Sequence, residues 1–160
     1  MLLLFAAACW CGAIIAAPAA IAADGPAHTA GSAIYAFFSP VCHQWDSHSF
    51  HLFGHKLPVC IRCSAIYFAF FAGIALYPSV GKRLMRRWSA RTVIVVAAAG
   101  MIADVAGSAF GLFESTTVSR LVTGGTFGLL TAFVLTPVFH ELIASLRLTG
   151  CDSDTHHHFS

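Results

Sequence analysis

Long runs without charge, separated by short polar segments, organise this chain. Residues 1–23, MLLLFAAACWCGAIIAAPAAIAA, contain no charged side chain, and about 20 apolar residues suffice for a helix to cross a bilayer's hydrocarbon core. Similar runs at about 59–80, 92–113 and 121–144 predict three more spans. Between the first two lies 24–58, with Gly25, Pro26, Gly31, Pro40, Gly54, Pro58 and five histidines, a loop-like composition. Its one apolar run, 34–41, is too short to span and predicts a re-entrant or interfacial helix near 34–42, whose backbone must be buried in protein or wet. Pro58 suits the first turn of the second span, where a missing N–H costs nothing. The expected fold is all-α: an integral membrane four-helix bundle forming a single domain over 1–146, with a disordered polar tail at 147–160.

Composition agrees. Hydrophobic residues make up 58% of the 160 residues and charged residues 10%, against about 25% charged in an average soluble domain, so a water-soluble globule is excluded. The small residues Ala20, Ala22 and Ala23 resemble a signal-peptide cleavage site. The run has no basic start, however, and exceeds the roughly 7–15-residue signal core, which favours an uncleaved anchor. Lys82, Arg83, Arg86, Arg87 and Arg91 supply five of the nine Lys and Arg residues. By the positive-inside rule this cluster sets the 81–91 loop in the cytoplasm. Alternation then makes both termini cytoplasmic and turns the 24–58 loop and the 114–120 turn outward, in a multi-pass protein of the cell (inner) membrane. A basic segment flanked by spans fits anionic lipids rather than nucleic acid. The lipid bilayer is therefore the first partner expected, with a homo-oligomer and a soluble thiol protein as further ones.

Small residues recur in the third span (Gly100, Ala103, Gly107, Gly111) and the fourth (Gly124, Gly125, Gly128), and permit close helix packing. Candidate chemistry concentrates in Cys42-His43-Gln44 and Pro58-Val-Cys60-Ile-Arg62-Cys63. Cys60 and Cys63, three apart, share a helix face, and a helix N-terminus stabilises thiolate, with Arg62 adding positive charge. A transition-metal site, preferably zinc, would use Cys42, Cys60 and Cys63 with His43 or His55 as fourth ligand, the Cys₃His set of closed tetrahedral sites. The bland alternative treats the cysteines as small, half-buried apolar residues.

A redox alternative uses the Cys60/Cys63 pair, with Cys42 resolving a mixed disulfide, coupled to a quinone or a soluble thiol partner. In architecture this looks like the membrane disulfide-generating enzymes that pass electrons to a quinone. Those enzymes use a second cysteine pair, which the 114–120 turn lacks; Cys9, Cys11 and Cys151 lie in or near the other side. A third alternative is a small transporter or channel subunit with Asp104 and Arg120 lining a polar path. Asp104, mid-span, needs a partner or water, and Arg62 and Arg120 are the cations within reach. Tyr67, one turn beyond Cys63, could donate a hydrogen bond into the site, although aromatics there commonly serve packing. Whether the protein is an enzyme stays open. The histidines at 156–158 receive no role.

At these residues the chain resembles a family of small bacterial and archaeal membrane proteins catalogued as domain of unknown function 2085. The matching elements are Cys42-His43-Gln44, Ser49-Phe50, Gly54-His55, Pro58-Val-Cys60-Ile-Arg62-Cys63 and Ile66-Tyr67, then Asp104 and Ser119-Arg120-Leu121-Val-Thr123-Gly124. They cover roughly 35–128. Ala65 and Ala69 stand where the family has glycine. The resemblance implies a polytopic membrane protein with a Cys/His site and no assigned reaction.

Overall fold

The computed structural model describes residues 1–153, with backbone alone at Ser47 and over 147–153. The described residues form six α-helices: α1 Leu2–Ala22, α2 Pro26–Phe38, α3 Ile61–Leu76, α4 Lys82–Arg87, α5 Ala90–Ala109 and α6 Thr117–Ser153. A π turn, Tyr77–Gly81, joins α3 to α4 without interrupting the rod. Among the described residues four segments are long and apolar enough to cross a membrane: Leu2–Ala22, Ile61–Arg87, Ala90–Ala109 and Thr117–Leu146. The all-α bundle with a short extra helix is thus the observed architecture.

Local chemistry sets the element ends. The short helix α2 begins earlier than expected because Gly25, at φ 76°, turns the chain and Pro26 occupies the first helical turn. It stops at Phe38, ahead of Pro40. Pro58, expected inside the first turn of the second span, instead precedes the cap: Cys60 is the N-cap of α3, its backbone extended at ψ 167°. The Ser89 side chain accepts from the Thr92 amide at 3.2 Å and caps α5. The other end of α5 closes at Gly111, in the left-handed region at φ 68°, with Leu112 N–H donating to Gly107 C=O and Gly111 N–H to Ser108 C=O. This Schellman-type stop ends the span at Ala109 rather than 113. Of the expected tail at 147–160, residues 147–153 continue α6. His156, His157 and His158 lie outside the described residues.

The segment between α2 and α3 folds into a single 3₁₀ turn, Asp46–His48, and a two-stranded antiparallel hairpin of β1 (His51–Leu52) and β2 (His55–Lys56), pairing His51 with Lys56 and Leu52 with His55. Phe53 and Gly54 make the reversal with positive φ.

Helix α3 packs chiefly on α6, α1 on α2 and α3, and α5 on α6. Met1 and Leu4 share a crevice with Ile74, Thr136 and His140, so the start of α1 meets the ends of α3 and α6, as alternating spans require. At the α3–α6 seam a Cβ on Gly124 would lie 2.7 Å from the Arg62 carbonyl oxygen, and one on Gly128 would collide with the Ile66 carbonyl. Only glycine allows that approach. The third-span stripe behaves differently: Gly100 faces open space and Gly107 is covered by the Phe113 ring. Many large apolar side chains, Val95, Val96, Ile102, Leu135 and Val138 among them, point outward, as a lipid-facing surface requires.

Candidate metal centre

Ile14, Phe38, Cys42, Leu57 and Val59 form a buried core where α1, α2 and the start of α3 meet, with Trp10, Cys60, Cys63, Tyr67 and Phe68 packed around it. Cys42 enters this core because its amide continues the last turn of α2, donating to the Phe38 carbonyl at 3.1 Å. The next two residues turn away. His43 is exposed, edge-on to Trp45, and Gln44 takes φ 51°.

Gln44 is the strut of this loop. Its Nε2 donates to the Tyr35 carbonyl at 2.8 Å and its own carbonyl accepts from Lys56 Nζ at 2.8 Å, while the Tyr35 hydroxyl donates to the Lys56 carbonyl. The hairpin and α2 are thereby tied together around Cys42. Tyr35 and Lys56 are not among the residues singled out from the sequence. Nothing local reveals their roles, because each acts through backbone groups of a distant segment.

Cys60 and Cys63 come from the first turn of α3. The Cys60 amide donates to Cys42 Sγ at 3.1 Å, and the Sγ atoms of Cys42, Cys60 and Cys63 all lie within 4.8 Å of one another. Hydrogen bonds from the Cys60 and Cys63 thiols hold Cys42 far below the ordinary thiol range. Burial opposes this shift, and the Gln44 and Cys60 amides add to it. This environment favours the thiolate form at Cys42. Zinc–sulfur bonds of about 2.3 Å in tetrahedral geometry set sulfurs roughly 3.8 Å apart, so the spacing fits one soft ion with slight closure.

The expected histidine ligands stand elsewhere. His55 is exposed on β2 and His43 faces outward, and neither joins the sulfur group. Side chains on consecutive loop residues diverge, so burying Cys42 turns His43 away; the hairpin presents His55 to solvent. Among the described residues the cluster comprises three sulfurs. Tyr67 belongs to the wall of the site, with ring centroids 5.5 Å from Trp10 and 6.4 Å from Phe38. Cys11 Sγ contacts the Tyr67 carbonyl at 3.5 Å, outside the trio.

Arg62, between the two cysteines of α3, turns to the opposite side. It forms an ion pair with buried Asp104 of α5 and donates to Ser115 Oγ at 3.2 Å. Asp104 also accepts from Ser115 at 3.1 Å and from Ser119 at 2.7 Å. Arg120 does not reach the carboxylate. Its Nε donates to Ser115 at 3.3 Å and its Nη2 lies 3.3 Å from His48 Nε2. The sequence offers both arginines as partners for Asp104; the fold selects Arg62. The serines and His48 complete a polar network that sequence reasoning did not assemble.

Four apolar helices, a partly buried tri-cysteine cluster at one end of the bundle and a neighbouring Arg–Asp pair define a polytopic membrane protein with a candidate soft-metal centre. The chain belongs to the family described as Predicted membrane protein (DUF2085), whose sequence pattern matches residues 42–134. That range spans all three cysteines, Arg62, Asp104 and Arg120. An uncharacterized protein of Methanocaldococcus jannaschii is 34% identical over 114 residues, covering 69% of this chain and 70% of that protein. No solved structure matches.

Proposed function

We propose that this membrane protein holds a transition-metal ion, zinc by preference, on Cys42, Cys60 and Cys63 at the outer face of a cell (inner) membrane. The observation that carries the reading is the convergence of three sulfurs within 4.8 Å, from two segments 18 residues apart, beside an amide that donates to Cys42 Sγ. Soft thiolates suit zinc or Cu(I). With both histidines outside, the fourth position is left to water or an external ligand, the arrangement of a site that can exchange a ligand. The metal would pin the loop between α2 and α3 onto the first turn of α3. The outer placement follows from the basic residues of α4, at the opposite end of α3, which favour the cytoplasm together with both termini.

Elemental analysis of the full chain, purified in mild detergent without chelators or immobilised metal, tests this. About one metal ion per chain, lost in Cys60→Ser, is expected. A metal-free protein would sink the reading.

Thiol–disulfide exchange is the second reading, favoured by the Cys42 thiolate lying within reach of two thiols. Cys60 and Cys63 are only half-buried and would meet a soluble thiol partner, while Cys42, at 7% exposure, would resolve the mixed disulfide. A mixed disulfide trapped in Cys60→Ser would support it. A transporter or channel subunit is less favoured, because Asp104 is already bonded to Arg62 and two serines.

A further inference from the structure

The end of the bundle opposite the cysteines carries a second potential site. The π turn Tyr77–Gly81 keeps α4 in line with α3, while Gly81 packs against Tyr77 and the Phe133 ring of α6. On α4, Leu84 and Met85 are half-buried, whereas Lys82, Arg83, Arg86 and Arg87 are exposed. Pro78, Ser79, Val80, Lys82, Arg83 and Arg86 line an open cleft. Its lining is mostly polar and cationic, with Pro78 and Val80 as its exposed apolar part.

Among the described residues none of Lys82, Arg83, Arg86, Arg87 and Arg91 forms an ion pair. Lys82 also borders an adjoining crevice that holds Glu141, whereas Arg83 and Arg86 line the cleft with no carboxylate among its lining residues. Exposed Trp88 follows directly, an aromatic of the kind that settles at headgroup level. A guanidinium pair presents forked donors matched to phosphate oxygens, and the cleft lies at the end of the Ile61–Arg87 rod, which is long and apolar enough to cross a membrane.

From these features we infer that the Pro78–Arg86 cleft binds the phosphate of an anionic phospholipid in the adjacent leaflet, with Arg83 and Arg86 on the phosphodiester and Val80 against the start of an acyl chain. This site is independent of the cysteine cluster, at the other end of α3.

The test is native mass spectrometry of the full chain released from micelles containing equal amounts of phosphatidylglycerol and phosphatidylcholine. Phosphatidylglycerol should be retained preferentially, and Arg83→Gln with Arg86→Gln should cut that preference by on the order of tenfold. The charge-keeping pair Arg83→Lys with Arg86→Lys should retain most of it. Arg120→Gln, a cation at the far end, should leave it unchanged. Equal retention of the two lipids would overturn the assignment, as would undiminished phosphatidylglycerol binding in the glutamine pair. Displacement of the lipid by millimolar inorganic phosphate would make this a free-phosphate site and overturn it too.

Discussion

Arg62 and Asp104 form an ion pair between the first turn of α3 and the buried face of α5, although α3 and α5 each pack mainly against α6. The pair fastens the turn that carries Cys60 and Cys63 to the rest of the bundle. Asp104→Asn leaves Arg62 without its counter-charge, and breaking a buried pair from one side costs about 3–5 kcal/mol. Thermal unfolding in detergent should show the loss. Bound metal should also leave faster to a chelator, and Arg62→Met in the Asp104→Asn background should recover part of the stability. Unchanged unfolding would mean the pair holds nothing together.

The α3–α6 seam makes a sharper steric prediction. Gly128→Ala forces a Cβ into the Ile66 carbonyl, whereas Gly125→Ala places one 3.9 Å from Ala69, an ordinary contact. The first should cost roughly 1–3 kcal/mol as overpacking, and the second little. Equal melting temperatures for the two variants would contradict this helix spacing.

Proton release on metal binding reports the state of the trio. The neighbouring thiols and amides hold the Cys42 pKa below the ordinary thiol range, which favours its thiolate form. Loading zinc near pH 7 should therefore release about two protons rather than three, measured in weakly buffered solution. In the metal-free protein the same shift acts on stability. A folded pKa below the unfolded one stabilises fully above the unfolded thiol range and loses that contribution as pH falls through the lowered value. Between those limits melting temperature should rise with pH, and Cys42→Ser should flatten the rise.

The histidines supply a direct check on the ligand set. His43→Ala and His55→Ala should leave metal content unchanged and preserve the thiolate-to-metal absorption of a cobalt-substituted sample. Loss of metal in either variant would bring that histidine back as a fourth ligand.

Much of this architecture was legible before folding. Span number and approximate position follow from bilayer thickness, since a helix of fixed rise needs a fixed apolar length. Cys60 and Cys63 fall on one face because three residues nearly complete a helical turn. The same local rules misplace ends: the Gly111 stop shortens the third span, and the Cys60 cap leaves Pro58 outside the second.

Sequence alone determined the membrane class, the four apolar helices, the basic end and the three cysteines as candidates, because length, charge and helical spacing are local quantities. Tertiary structure decided that Cys42 joins Cys60 while His43 turns outward, that Arg62 rather than Arg120 meets Asp104, and that Gly128 rather than Gly100 marks a helix contact. Each of those outcomes depends on where a remote backbone segment lies. No spacing along one chain segment fixes that position; the packing of α6 on α3 and of α2 on α1 does.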